Sequence, residues 1–134
     1  MGLDNGICVK RNKYSNSIKE LKVFTQDWDK DEKYNFEFCY WRKCWNVRSD
    51  IFNIVTPETN NDSETILTIA DIAKIIKLLK SYNKKTWDCN SWNGSIWTWS
   101  EHKAINHTHI KNLYKLISLM KRFPKLEVYF YDSY

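Results

Sequence analysis

Glycine and proline are nearly missing, with three and two residues in a chain of 134. That excludes collagen-like, linker-like and low-complexity readings. Three glycines are too few for a phosphate loop or a dinucleotide fingerprint, so neither nucleotide-enzyme signature is present. The longest apolar stretch, 66–79, is broken by Thr68, Asp71, Lys74 and Lys77, which excludes a membrane-spanning helix. The first residues lack the charged start and apolar run of a secretory signal, and Gly6 stands where myristoylation wants Ser or Thr. Arginine is scarce too: of 21 basic residues only four are arginine, Arg11, Arg42, Arg48 and Arg122.

What is abundant is the aromatic ring. Phe, Trp and Tyr make up 16% of the chain, with seven tryptophans. Hydrophobic residues reach 43% and charged residues 28%, a balance that folds. The size fits one domain covering residues 1–134. The net charge of +5 favours an anionic partner without demanding one. The wealth of Lys, Asn and Ile matches AT-rich codons, which accounts for part of the lysine excess.

Periodicity predicts an α+β fold: a small antiparallel sheet that includes the N- and C-terminal strands, packed with about three helices. Strands are expected around Ile7-Cys8-Val9, over 18–24, from Tyr34 towards Tyr40, and over 126–131. The charged stretch 27–33 reads as a solvated loop, and so does 58–64. Helices are expected from Trp41 to about Val55, from Thr68 as N-cap with Asp71 to about Ser81, and from Asn106 to Phe123. Pro57 and Pro124 mark two of the ends. Residues 83–93 read as a polar loop, and 96–100 as extended, which would put Trp97 and Trp99 on one face. Ile72, Ile76, Leu113 and Ile117 are expected in the core.

Three stretches carry a resemblance. Met1-Gly2-Leu3-Asp4, Tyr40-Trp41-Arg42-Lys43 and the closing Tyr129-Phe130-Tyr131-Asp132-Ser133-Tyr134 are similar, in order, to a family of small bacteriophage and prophage proteins. Its members begin with the same four residues, carry a central Tyr-Trp-Arg-Lys before a helix, and end in an aromatic strand. Where the family often continues with Ala-Asn, this chain has Cys44-Trp45-Asn46. Where it often has a glycine-plus-aromatic run, this chain has Gly94-Ser95-Ile96-Trp97-Thr98-Trp99. The resemblance implies phage origin and an overall fold; it supplies no catalytic residue.

The binding candidates are Tyr40, Trp41, Arg42 and Lys43, two rings beside two cations, together with Trp92, Trp97 and Trp99 from a segment otherwise full of polar residues. Rings stack on a planar ligand, while Arg and Lys take phosphate. The two segments are expected to line one surface. The structural alternative puts Trp41 in the core and the later tryptophans against it, because rings of this size are costly to leave in water. Lys74, Lys77, Lys80, Lys84 and Lys85, and Lys111, Lys115, Lys121 and Arg122, form two basic stripes that would merge if their helices packed side by side. Cys8, Cys39, Cys44, Cys89, His102, His107 and His109 lack the spacing of a zinc site. No metal, no cofactor, no disulfide and no catalytic set is expected.

The sequence therefore reads as a non-enzymatic phage or prophage binding protein in the host cytoplasm. Its expected role, by analogy with other small phage proteins, is antagonism of host machinery or defence, by binding a host protein or sequestering an anionic nucleotide-like ligand. Two alternatives stay open: a nucleic-acid-binding accessory protein, and a small enzyme. No membrane partner is expected, and the oligomeric state is left open.

Overall fold

In the computed structural model, residues 4–42, 44–55, 64–87, 89–91, 94–97 and 99–133 are described. Strand β1 (Asp4–Val9) leads into a one-turn helix α1 (Lys13–Asn16) and a 3-10 segment (Lys19–Phe24). Strand β2 (Phe36–Arg42), helix α2 (Trp45–Ile54), strand β3 (Glu64–Ile66) and helix α3 (Ile69–Ser81) follow. A hairpin of β4 (Cys89–Ser91) and β5 (Gly94–Trp97), helix α4 (Trp99–Arg122) and strand β6 (Val128–Ser133) complete the order.

The fold is α+β. The main sheet has the order β2-β1-β6-β3, and every neighbouring pair is antiparallel. The N- and C-terminal strands pair with each other, from Asp4 opposite Ser133 to Val9 opposite Val128. That pairing puts the two most distant parts of the sequence at the centre of the sheet. Alternate residues of its core face, Ile7, Val9, Phe36, Val128 and Phe130, are buried under the helices. At Gly6, a Cβ would run into the ring of Tyr131 and lie 2.7 Å from the Cys39 carbonyl oxygen. Gly6→Ala is therefore expected to cost about 1–3 kcal/mol, the usual range for forcing an extra methyl into packed structure. A urea midpoint equal to that of the wild type would contradict it.

The helix starts follow local chemistry. Thr68 caps α3 by accepting the Asp71 N–H, and the Asp71 carboxylate accepts the Thr68 N–H in return, as their spacing predicts. Ile72, Ile75, Ile76 and Leu79 turn inward from α3, while Ala73, Lys74, Lys77 and Lys80 stay exposed. Ile72, Ile76 and Leu113 are core residues, and Ile117 is half-buried against that core.

Several elements depart from the sequence expectation. Residues 19–24 form a 3-10 segment instead of a strand, burying Leu21 and Phe24 and leaving Val23 exposed. Strand β2 runs through Trp41 to Arg42, so the helix begins later, at Trp45. Helix α4 begins seven residues earlier than periodicity placed it, at Trp99 instead of Asn106. Trp97 closes a strand and Trp99 opens a helix, so the expected extended run carrying both rings does not exist. Residues 83–93 hold strand β4, and the end of the expected 58–64 loop enters strand β3; positions 56–63 lie outside the described residues.

The charged stretch 27–33 is exposed except at Trp28's neighbour Asp29. Its carboxylate accepts the N–H groups of Lys33 and Tyr34 at 2.9 Å each. Burial works against that charge, but the two N–H bonds and nearby Arg11 and Lys33 outweigh it and hold the carboxyl below its ordinary range.

Cys44 is disulfide-bonded, which corrects the expectation of fully reduced cysteines. Cysteine spacing could not show this, because a disulfide depends on whether the fold brings two Cβ atoms within bonding reach, which no sequence gap encodes. Cys8 and Cys39 are buried free thiols. Thiol titration of the unreduced, denatured protein is expected to find two free thiols per chain. Four would remove the bond.

Candidate functional site

The segment Tyr40–Trp41–Arg42 does not present the surface expected of it. Trp41 has no exposed area. Its ring meets the His109 ring edge-on at 5.1 Å between centroids, so it offers no face to a ligand. The strand alternation explains the reversal: Trp41 lies opposite Asn5 on the core side of the sheet, while Tyr40 lies opposite Gly6 on the other side. Tyr40 and Arg42 are exposed, and the Tyr40 hydroxyl donates to an Asp4 carboxylate oxygen at 2.7 Å. Burial, and then this bond and the Asp4 charge, push the Tyr40 phenol up to about 12. Lys43 and Trp92 lie outside the described residues, as does the side chain of Trp97.

The two aromatic segments do approach each other, but through the interior. From Trp41 the ring contacts run to His109, from His109 to His102 at 6.0 Å, and from His102 to Trp87 at 4.2 Å in a stacked pair. Trp87 then meets Trp99 at 5.8 Å and Tyr82 at 5.4 Å. Thus the expectation that Trp41 joins a binding surface is corrected: its link to the later tryptophans is a column of packed rings. The same region closes the open edge of β2. The Tyr40 N–H donates to His109 Nε2 at 3.4 Å, and Asn112 Nδ2 donates to the Phe38 carbonyl at 3.0 Å. Side chains of α4 thereby use up edge groups that would otherwise invite another strand.

At the outer end of this column, Trp99 opens onto the surface. It is half-buried and lines a groove of about 780 Å³ between the end of α3 and the first half of α4. The groove brings together Tyr82 and Trp99 as rings, Lys80, Lys103 and His107 as basic groups, and the amide of Asn106. Helical spacing explains the assembly: Trp99, Lys103 and His107 follow one another at steps of four, and Asn106 shares that face. Lys80 comes from the last turn of α3, where its ammonium donates to the Tyr114 hydroxyl and lies 4.9 Å from the centre of that ring. Tyr82 is held from behind by its hydroxyl donating to Asp50 at 2.6 Å. Burial, and then that carboxylate, raise its pKa well above the ordinary phenol value.

The α3–α4 packing therefore does bring cations of the two helices together, but through Lys80 and Lys103. Lys103 and His107 were not among the sequence candidates as binding cations. A signal existed: both recur with Trp99 at helical spacing, but it is readable only if α4 is known to begin at Trp99. Among the described residues, no group of three His, Cys, Asp or Glu side chains is arranged to hold a metal ion. No described helix is long and apolar enough to cross a membrane. Comparison with protein-family models, with curated proteins and with solved structures finds no match for this chain.

Proposed function

We propose that this chain is a non-enzymatic binding protein whose α3–α4 groove takes an anionic, ring-bearing ligand of nucleotide type. One observation carries the reading: Trp99 and Tyr82 share a groove of nucleotide-holding size with Lys80, Lys103 and His107. A base is expected against the half-buried Trp99 ring, and a phosphate within reach of the Lys80 and Lys103 ammonium groups, which act as point charges on an anion. Following the sequence resemblance, we propose phage or prophage origin and a role in sequestering such a ligand from the host. The host cytoplasm is the proposed compartment. A cystine at Cys44 in that reducing compartment would be an exception to the usual scarcity of cytosolic disulfides, and the thiol count tests it.

Calorimetric titration with adenosine 5′-monophosphate tests the groove. Lys103→Ala is expected to weaken binding about tenfold, as loss of one charge-assisted contact would, while the melting temperature stays within a degree or two because Lys103 is exposed. Absence of binding at millimolar nucleotide would sink the reading. A salt dependence as steep as that of a many-phosphate contact would transfer the groove to nucleic acid.

A further inference from the structure

Two large rings of the loop before β2 stand mostly in water: Trp28 is 65% exposed and Tyr34 59%. Leaving rings of this size outside a core is costly, and the fold does it twice at one place. The two rings meet edge-on, with centroids 4.9 Å apart. They are also held in position. Two successive turns carry Trp28, with the Asp29 N–H donating to the Gln26 carbonyl and the Glu32 N–H to the Asp29 carbonyl. Tyr34 is tied on both sides of its backbone: its N–H donates to the Asp29 carboxylate, and its carbonyl accepts Arg11 Nε at 2.8 Å. Glu32 is kept in the left-handed region, at φ 54°, which is unfavourable for a residue with a side chain. A loop fixed in advance loses little entropy when a partner docks on it.

We infer that this loop docks a protein partner through an arginine side chain of a basic segment. The guanidinium lies on the exposed Trp28 ring, and the carboxylates of Asp27 and Asp31 are its counter-charges. The charge of the loop chooses the partner. Residues 27–33 carry four carboxylates against the ammonium groups of Lys30 and Lys33, a local excess of negative charge in a chain of +5. Asp27 and Asp31 are exposed, and the 3.9 Å pair of Asp31 with Lys33 lies in open solvent, where such a pair contributes little. A phosphate backbone is repelled by this balance and a basic segment is attracted. The rings stand on an open surface, so a small cation would keep most of its own area in water. A protein brings further area around the central contact. Arginine suits the place better than lysine, because its planar, weakly hydrated fork stacks on a ring face and meets carboxylate oxygens in its own plane. No residue of this loop lines the α3–α4 groove, so the inference stands apart from the nucleotide reading.

The test is fluorescence anisotropy of a fluorescein-labelled hexa-arginine peptide titrated with the whole chain. The peptide is expected to bind despite the net positive charge of the protein, and more tightly than labelled hexa-lysine. Trp28→Ala is expected to weaken it roughly tenfold, the size of one partly desolvated cation–ring contact. Trp28→Phe, which keeps a ring, is expected to lose much less. Asp27→Asn combined with Asp31→Asn is expected to weaken binding while leaving Trp28 in place. Melting curves check the folding of each variant and are expected to match the wild type, because all three positions are exposed. Failure of the wild type to bind at millimolar peptide would overturn the inference. Unchanged affinity in Trp28→Ala would overturn it too, by showing a diffuse charge attraction without the ring. Equal binding of hexa-lysine would overturn the choice of arginine. A labelled oligothymidylate that binds the wild type and is lost in Trp28→Ala would give the rings to nucleic acid instead. The comparison of the two peptides changes only the ligand, so it stands even if a variant fails to fold.

Discussion

Lowering the pH from about 7.5 to about 4.5 is expected to remove roughly 5 kcal/mol of folding stability, because two buried imidazoles must stay neutral in the native state. Burial pushes His102 down to about 4. Burial, and then the neighbouring His102, push His109 down to about 3. Among the contacts of the described residues, the Trp41 ring meets His109, the Trp87 ring stacks on His102, the two imidazoles meet each other, and the Cys39 thiol donates to the His109 backbone carbonyl. The His109 requirement is chemical as well as dielectric. Its Nε2 accepts the Tyr40 N–H, so a proton there would turn the acceptor into a second donor. The sign follows from proton binding. In the unfolded chain each imidazole takes its proton near the ordinary value of about 6.5, whereas the folded chain refuses it until the pH approaches 3 to 4. The unfolded state binds more protons throughout that window. Stability is therefore complete above pH 6.5 and falls as the pH drops, at about 1.4 kcal/mol per pH unit for each ring. Urea unfolding at the two pH values measures it. The pair His102→Phe, which keeps a ring against Trp87, and His109→Gln, which keeps an acceptor for Tyr40, is expected to flatten the profile. A wild-type loss below about 1 kcal/mol would show that the imidazoles are not held neutral.

The parts of the fold that the sequence disclosed are those written in local repeats. Ile72, Ile76 and Leu79 recur at helical spacing, and the Thr68–Asp71 pair announces its own cap, so α3 was legible almost to the residue. The closing strand and its partnership with the first were legible from alternating rings and from the need to cover terminal edges. Helix α4 was misplaced at its start because Trp99–Ile105 holds few apolar residues of an ordinary core face; the most inward of them, His102, is one that periodicity scores as polar. Residues 19–24 carry a strand's composition, but Leu21 and Phe24 are three apart and need a three-residue turn to face the same way.

The candidate site was legible in its chemistry and not in its place. Trp41 is a large ring beside two basic residues, which is the composition of a ligand platform. One step of strand alternation put it opposite Asn5, inside the protein, and put Tyr40 and Arg42 outside. Trp99 is half-buried and lines the groove, and its basic neighbours there are Lys103 and His107 of its own helix and Lys80 of α3. That combination depends on packing between two helices, with Lys80 lying 19 to 27 positions from its α4 neighbours, which no spacing rule encodes.

Asp132→Ala is expected to cost about 3–5 kcal/mol, the range for removing one partner of a buried ion pair. Arg48 of α2 grips the Asp132 carboxylate with both ends of its fork, Nε to Oδ1 and Nη2 to Oδ2, each at 2.8 Å. Asn5 of β1 donates its Nδ2 to the same Oδ1 at 2.6 Å. Asn5 and Asp132 are register partners across the pairing of the terminal strands, so one carboxylate ties β1, β6 and α2 together. The Asp132 side chain is 7% exposed and that of Arg48 is 24% exposed. Removing the carboxylate therefore leaves a partly buried guanidinium without that bidentate partner, and an amide without its acceptor. Breaking such a pair costs more than the pair contributed, because the guanidinium stays partly desolvated after losing its bidentate carboxylate. The double variant Asp132→Ala with Arg48→Met takes away both charges and keeps an unbranched side chain against Phe52, over which the guanidinium lies at 4.7 Å. It is expected to recover at least 1 kcal/mol relative to Asp132→Ala alone. Urea unfolding of the wild type, both single variants and the double variant closes the cycle. A double variant as unstable as the two single losses added together would mean that Arg48 and Asp132 act independently, and the clasp between the helix and the terminal strands would not exist.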